Sequence, residues 1–157
     1  MRQIHLLASE WPELAAAAGV KRKRGTRALA ENDKPTAADL FAEQLGLFRG
    51  LTFEREYRFA TQIGRNWRFD FAFREYHLGV EIDGVNVRRI GGELIVQGRH
   101  ATITGIRGDN EKLNTATRLG WSVLRFLQSD VKPRHAIEFT LRVLEERGWK
   151  PQRGVQT

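Results

Sequence analysis

The order of patterns along the chain predicts an α/β fold in which a mixed β-sheet is flanked by helices. One amphipathic helix is followed by three extended segments, and a second helix then leads into another extended segment and a last helix. The predicted core order is α-β-β-β-α-β-α. Strands joined by short turns run antiparallel, whereas a strand reached through a crossover helix runs parallel to its neighbour. The sequence therefore predicts one sheet with both kinds of pairing.

The first helix and the first strand are indicated by the spacing of their apolar residues. Pro35 and Thr36 begin a helix with Thr36 as its N-cap. Steps of three and four then separate Ala37, Phe41, Leu45 and Phe48. The segment FEREYRFAT alternates apolar and polar residues after Gly50, which is typical of a strand, and IGRN supplies the next turn.

The second half of the chain supplies the remaining elements. The segment VRRIGGELIV indicates a hairpin closed by Gly91 and Gly92. Asp109 is expected to cap the next helix, DNEKLNTATRL. The nearly continuous apolar run WSVLRFL predicts a central strand covered on both faces. Asp130 and Pro133 are expected to open the last helix.

Two extended segments in the middle of the chain carry acidic residues opposite their apolar ones. In RFDFAF the three phenylalanines share one side and Asp70 points the other way, while in HLGVEIDG the alternation sends Glu81 and Asp83 away from the apolar side. Acidic side chains on one face of adjacent strands repel each other unless a cation lies between them. We therefore expect a divalent-metal site with Asp70 and Glu81 as ligands and the backbone carbonyl of Ile82 completing the set.

Two further acids have a place in this hypothesis. Glu43 is placed at the inner flank of the first helix, where it would reach the same edge of the sheet as a supporting ligand. Hard oxygen donors suit Mg²⁺ or Mn²⁺, with water and phosphate in the remaining positions. Asp83 precedes Gly84, so both a turn acid and a catalytic acid stay open as interpretations of it.

A second group of polar residues begins just before the predicted second helix. It consists of His100, Asp109, Lys112 and Asn114. Asp109 and Lys112 are three residues apart and would share a helix face. A His–Asp pair could position or deprotonate water, and Lys112 could bind phosphate or stabilise developing charge. The alternatives are an ordinary helix cap for Asp109 and a polar surface position for His100.

Composition and charge favour a polyanionic partner. The 157 residues include 26 lysines and arginines against 19 aspartates and glutamates, a formal charge of +7. DNA is the first candidate, and an acidic membrane surface is the second. Every apolar run is shorter than the roughly 18 to 20 residues that span a bilayer, so no membrane span is predicted. The absence of cysteine excludes disulfides and thiolate zinc sites. We expect a soluble, cytoplasmic protein.

Basic residues occur in an N-terminal arm and near the central strands. Residues 1–34 are interpreted as a helix, basic arm and linker, residues 35–150 as the main domain, and residues 151–157 as a tail. The arm carries Lys21, Arg22, Lys23 and Arg24. They could contact phosphate or form a solvated charge run. The same choice is open for Arg65 and Arg68, which could grip a nucleic-acid backbone together with Asn114 or merely flank Trp67.

Six ordered blocks of the sequence resemble one branch of a nuclease superfamily. The blocks EREYRF, NWRFDFAF, GVEIDG, GRH, GDNEKLN and LGWSVLRF, over roughly residues 37 to 147, are similar to the very-short-patch-repair-like branch of the PD-(D/E)XK nucleases. That branch includes stand-alone phage and bacterial endonucleases. The resemblance implies a restriction-endonuclease-like fold, DNA cleavage and dependence on a divalent metal, Mg²⁺ or Mn²⁺.

The resemblance also assigns roles to individual residues. Asp70 matches the central aspartate of the superfamily, and Glu81 and Asp83 occupy the acidic and the third position of its D/E-X-K element. Glu43 matches the helix glutamate, and His100 and Asp109 match the histidine and aspartate that this branch adds. Most of the superfamily has lysine where this chain has Asp83. The residue that stabilises charge must then come from elsewhere, and His100 or Lys112 is the expected substitute.

The sequence thus predicts a metal-dependent DNA endonuclease and leaves two alternatives open. One is a nuclease of the same fold that acts on branched DNA, such as a Holliday junction, or on a mismatch. A symmetric homodimer would favour junctions or palindromic sites. The other alternative is a non-catalytic DNA-binding relative in which the loss of the lysine reflects lost chemistry.

Overall fold

The computed structural model describes residues 35–84, 86–97 and 102–151 of the chain. Two compact units are formed, one from Thr52–Pro133 and one from the described parts of residues 1–51 and 134–157. The first unit contains all strands that the structure describes. They are β1 Glu54–Arg58, β2 Arg68–Phe73, β3 Leu78–Asp83, β4 Asn86–Ile90, β5 Glu93–Gln97 and β6 Ser122–Leu127, with helices α2 Ile103–Arg118 and α3 Gln128–Val131.

The predicted mixed sheet is confirmed. Its four strands lie in the order β1-β2-β3-β6, and β1, β2 and β3 pair antiparallel whereas β6 runs parallel to β3. Helix α2 forms the crossover between the parallel strands and contacts β6. Strands β4 and β5 form a separate hairpin between β3 and α2, closed as expected by Gly91 and Gly92, both of which have positive φ.

The second unit contains helices α1 Ala37–Leu45 and α4 His135–Glu146, which contact each other. Thr36 caps α1 as predicted: its hydroxyl accepts a hydrogen bond from the Asp39 backbone N–H, and the Asp39 carboxylate accepts one from the Thr36 N–H. Near the ends of this unit Phe48 and Trp149 meet edge to face, with ring centroids 5.9 Å apart.

The expectation that all three phenylalanines of β2 share one side is wrong at Phe69. Phe71 and Phe73 both meet the Phe53 ring, whereas Phe69 packs with Ala72 and Ala116 of helix α2. The alternation of β2 is therefore broken between Phe69 and Phe71. Glu56, opposite Asp70 in the register of β1 and β2, has a φ of 52°, so β1 also departs from the extended conformation at this level.

Helix α2 begins earlier than the sequence predicted. Its N-cap is Thr102, whose hydroxyl accepts a hydrogen bond from the Gly105 backbone N–H at 3.0 Å. Asp109 therefore lies inside the helix, and its assignment as the N-cap is wrong. Two glycines inside the first turns, Gly105 and Gly108, suggested a loop because each costs about 1 kcal/mol in a helix interior. The Thr102 cap lies before both of them.

Strand β6 is not the central strand that its apolar run suggested. It lies at the edge of the four-stranded sheet, and its residues are exposed or only partly buried. A charged residue such as Arg125 inside the run argues against burial on both faces, because doubly buried strands are almost entirely apolar. Asp130 does not open the last long helix either. It lies in α3, where its carboxylate accepts a hydrogen bond from the Leu127 N–H, and α4 starts only at His135.

No helix in the described part of the chain is long and apolar enough to cross a membrane. The predicted basic arm, with Lys21, Arg22, Lys23 and Arg24, lies outside the described residues, as does His100. The proposed division at residues 34 and 150 stays a prediction.

Gly79 should be the least replaceable glycine of the sheet. A Cβ at this position would lie 2.7 to 2.8 Å from ring atoms of the fully buried Phe69. We expect Gly79→Ala to lower the free energy of unfolding by about 1–3 kcal/mol, because the ring must shift within a packed core. Urea denaturation measures the change. Gly46→Ala is the control, since Gly46 has right-handed φ and its nearest atoms lie 3.4 Å away or more; an equal loss in both variants would contradict the argument.

Candidate active site

Three of the predicted acids lie near one another on β2 and β3. Strands β2 and β3 pair Phe71 with Val80, and continuing this register by one residue places Asp70 opposite Glu81. Asp83 adds to the raised pKa of Asp70, and Asp70 and Asp83 add to the raised pKa of Glu81. The neighbouring strands thus bring these acids together, and the metal site that they would form stays a prediction.

Asp70 stands where the ladder between β2 and β3 ends. Its Oδ2 accepts a hydrogen bond of 2.7 Å from the Ile82 backbone N–H, so the side chain takes the place of a backbone acceptor. In an extended strand the N–H and C=O of one residue point to the same neighbouring strand. The Ile82 carbonyl therefore also faces β2, which is the placement that its predicted role beside Asp70 requires.

Glu81 is paired with Lys112 of helix α2. The Lys112 ammonium contacts Glu81 Oε1, and the Glu81 side chain is 13 % exposed. The pair brings one cation directly into the acidic group, where its charge also lowers the pKa of Asp70. Lys112 was singled out in the sequence, and the structure places it beside the acids.

Asp83 and Asp109 share a cation that the sequence did not identify as part of the site. Arg125 of β6 donates from Nε and a terminal nitrogen to Asp83 Oδ2 at 2.9 and 2.8 Å, and the same terminal nitrogen lies 3.6 Å from Asp109 Oδ2. Asp109 and Lys112 thus act from one face of α2, as their spacing predicted. A positively charged residue inside the apolar run WSVLRFL was the available signal for Arg125.

Burial raises the pKa of both Asp70 and Glu81. For Asp70 the Ile82 N–H opposes this change, Glu56 adds to it, and Lys112 opposes it again. For Glu81 the Lys112 ammonium opposes the effect of burial, and the neighbouring acids Asp70 and Asp83 reinforce it. Both carboxyl groups therefore hold a proton more readily than an exposed acid does.

Glu56 is a further acid at this site that sequence reasoning missed. It lies opposite Asp70 in the register of β1 and β2, and its carboxylate pairs with Arg68 at 2.6 Å. The alternation of FEREYRFAT gave no reason to separate Glu56 from the other charged residues of the strand. Its register opposite Asp70 could be read only once the pairing of the strands was known.

The other predicted site residues have different surroundings. Arg65 stacks over Trp67 at 4.8 Å and pairs with Glu111 at 2.6 Å, while Arg68 is held by Glu56. Both arginine side chains are more than half exposed. Asn114 is exposed on α2. Their contact with nucleic acid stays a prediction.

Glu43 does not lie on a buried flank of its helix. It is exposed, and it belongs to the unit that contains α1 and α4, whereas the acids of β2 and β3 belong to Thr52–Pro133. Its role as a supporting ligand stays a prediction. The same holds for the His100–Asp109 pair, because His100 lies outside the described residues.

The donor set suits a cation that takes few ligands from the protein. No group of three or more histidine, aspartate or glutamate side chains in the described ranges is arranged to hold a metal ion. Mg²⁺ commonly uses one or two carboxylates and completes its shell with water and phosphate. Asp70, Glu81 and the Ile82 carbonyl fit such a site, and the arrangement does not fit an all-protein cage of the calcium type.

Comparisons of this chain with protein-family models, with curated proteins and with solved structures found no match.

The raised pKa of Asp70 makes this residue a source of instability at neutral pH. An acid whose pKa is higher in the folded state binds protons more tightly there, so its contribution to stability falls as pH rises from its ordinary pKa through the folded value. We expect Asp70→Asn, which keeps an acceptor for the Ile82 N–H, to raise the free energy of unfolding at pH 7 by about 0.5–2 kcal/mol. The gain should disappear at pH 3 to 4, near the ordinary pKa of about 3.9.

Urea denaturation across pH 3–8 measures this difference. Asp130→Asn is the matched control, because Asp130 also accepts a backbone N–H, at 2.9 Å, but is not among the acids that raise the pKa of Asp70 or Glu81. A stabilisation of the same size in the control, or none in Asp70→Asn, would contradict the explanation.

Proposed function

We propose that this protein is a divalent-metal-dependent endonuclease that hydrolyses phosphodiester bonds in DNA. The observation that carries the proposal is the convergence of Asp70, Glu81 and Asp83 on β2 and β3 with Lys112 of α2 at Glu81. Hydrolysis of a phosphodiester needs a cation on the phosphate, a nucleophilic water and relief of charge on the leaving oxygen. The carboxylates would hold the cation, and the ammonium would relieve the charge on the leaving oxygen.

The charge of the group supports a divalent cofactor. Four carboxylates, from Asp70, Glu81, Asp83 and Asp109, face two cations, Lys112 and Arg125. When all six groups are ionised, four negative and two positive charges leave −2, which one divalent cation neutralises. The surrounding chain is positive at +7 overall. A local negative site within a basic protein is what a metal-assisted reaction on a polyanion requires.

Asp70, Glu81 and the Ile82 carbonyl would hold Mg²⁺ or Mn²⁺ in this site. When bound, such an ion polarises the phosphate and lowers the pKa of a water ligand. The Ile82 N–H keeps one oxygen of Asp70 engaged and thereby fixes the orientation of the other. Both acids are partly buried, which lowers the effective dielectric constant around their carboxylates and strengthens their interaction with a cation.

Lys112 takes the role that the superfamily gives to a lysine on the strand. Position 83 holds an aspartate whose carboxylate pairs with Arg125, so no cation projects from β3 there. Lys112 reaches the same acids from α2. Its ammonium would bind a phosphate oxygen and stabilise the charge that develops in the transition state. Asp109 of α2 and Arg125 of β6 link the two elements, which positions the face of α2 that carries Lys112.

The resemblance to the very-short-patch-repair-like nucleases agrees with this proposal at the level of topology. A helix, three antiparallel strands, a crossover helix and a parallel strand are the elements expected of a restriction-endonuclease-like fold. The hairpin β4–β5 is an insertion between β3 and α2. We propose that the chain has this fold and acts on DNA.

A non-catalytic DNA-binding protein is the second candidate. It is favoured by the ion pairs that already occupy Glu81 and Asp83, and by the lack of a third metal-ligating side chain among the residues described. Such a protein would use the basic charge and the fold, and it would bind DNA equally well in EDTA and in Mg²⁺.

Replacement of Asp70 separates these candidates. If Asp70 holds the cation, Asp70→Asn should reduce Mg²⁺-dependent cleavage of supercoiled plasmid at least 100-fold while DNA binding stays within threefold of the wild type. Asp130→Asn, on α3 and outside the proposed set of ligands, should cleave like the wild type. Cleavage by Asp70→Asn at the wild-type rate would remove Asp70 from the mechanism, and binding without cleavage by the wild type in Mg²⁺ and in Mn²⁺ would favour the second candidate.

Replacement of Lys112 tests the source of the charge-stabilising group. Lys112→Met should lower kcat by about 10²–10³-fold, because loss of one donor to developing charge has an effect of that order. Lys112→Arg should recover part of the rate, since it restores the charge with different geometry. Lys132→Met, at an exposed turn after α3, is the control. Single-turnover cleavage on a linear duplex, a mismatched duplex and a four-way junction measures the effect, and equal rates for Lys112→Met and Lys132→Met would reject the role.

A further inference from the structure

A cleft of about 600 Å³ lies in the unit Thr52–Pro133. It is lined by residues before and within β1, by the end of β2 and the turn that follows, and by the residues just before β3 and β6. The acids of the candidate active site and their cationic partners are not among its lining residues. The cleft is therefore distinct from the candidate active site, and its size is typical of a small-molecule site.

The rings of Phe53, Tyr57, His77 and Trp121 line this cleft. Trp121 lies between Tyr57 and His77, with ring centroids 5.4 and 5.5 Å away and the ring planes tilted by 47° and 36°. Trp121 is held in place by the buried Phe69, whose centroid is 5.3 Å away. These rings are thus anchored to the core, and they present flat apolar surface where a planar ligand could stack at little cost in side-chain entropy.

The charged groups of the cleft favour a neutral ligand with N–H donors. Arg74 lies over the Tyr57 ring at 5.5 Å and pairs with Glu54 at 3.2 Å. Glu75 also lines the cleft. Two carboxylates against one guanidinium leave a net negative lining, which repels phosphate but accepts hydrogen bonds from amino groups.

We propose that this cleft binds an unpaired nucleobase of a single-stranded nucleic-acid segment. The rings stack on the base, and the carboxylates accept from an exocyclic amino group, as adenine or cytosine carries. The volume leaves room for the attached sugar. The backbone phosphates remain outside, where the basic charge of the protein attracts them. The inference rests on the proposed function only in taking nucleic acid as the polymer, and it requires no cleavage.

The test compares two fluorescent strands of equal charge in EDTA, so that hydrolysis plays no part. One is a single strand of twelve deoxyadenosines, and the other has the same length and phosphates but abasic sugars. A single stacked base contributes about 1–3 kcal/mol, so the abasic strand should bind about 5- to 150-fold more weakly. Anisotropy titration measures this ratio. Equal affinity for the two strands would overturn the proposal.

Two variants locate the effect. His77→Asn removes one ring and keeps a residue type that tolerates the φ of 46° found here, and Thr52→Trp fills the cleft from an exposed position. Each variant should lower the ratio of the two affinities, that for the strand with bases over that for the abasic strand, at least threefold. The matched controls, His135→Asn and Thr61→Trp, change exposed residues outside the cleft and should leave it unchanged.

Circular dichroism and the unfolding midpoint establish that each variant is folded. A preference within twofold of the wild type in either folded cleft variant would overturn the assignment of the base to this cleft. Failure of plasmid cleavage in Mg²⁺ would instead reject the nuclease and leave the binding result standing. The failure of one proposal can therefore be distinguished from the failure of the other.

Discussion

The burial of like charges where β2 meets β3 is the constraint on which the site depends. Asp70 and Glu81 lie opposite each other at partly buried positions, and burial raises the pKa of each. Lys112 of α2 supplies an opposite charge that acts to lower both pKa values, and Arg125 of β6 pairs with Asp83. The acids therefore need the crossover helix and the parallel strand in place. Three ion pairs, Lys112–Glu81, Arg125–Asp83 and Arg125–Asp109, thus link the acids of the site to the crossover helix and the parallel strand.

The core beneath α2 explains why the acids can hold this geometry. Phe69 leaves the side occupied by Phe71 and Phe73 and fills the space that Gly79 leaves open. The same break in the pleat lets the adjacent Asp70 turn its carboxylate to the Ile82 N–H. An uninterrupted strand would have satisfied that N–H with a backbone carbonyl. The departure from regular alternation thus provides both a packed ring and an oriented carboxylate.

Features that depend on residues close together in the chain could be predicted from the sequence. Features that depend on which strand residues stand opposite each other could not. The Thr36 cap, the glycine hairpin, the mixed sheet and the meeting of Asp70 with Glu81 follow from short-range patterns. The side of the sheet on which Phe69 lies, and the presence of Glu56 at the site, depend on which residue of a neighbouring strand stands opposite. No single segment of the sequence encodes this pairing. The edge position of β6 was mispredicted because a short apolar run looks the same in a central and in an edge strand. Arg125 was overlooked for the same reason.

Under the function proposed above, the aspartate at position 83 is compatible with catalysis, because the charge at a site is set by all the elements that reach it. The Asp83 carboxylate adds to the raised pKa of Asp70 and of Glu81. Arg125 of β6 pairs with Asp83, and Lys112 of α2 pairs with Glu81. Two cations therefore reach the acids, one from a helix and one from an edge strand. The flexible stem of Lys112 lets its ammonium pair with Glu81 in the free protein and, in the proposed mechanism, with a phosphate oxygen of bound DNA.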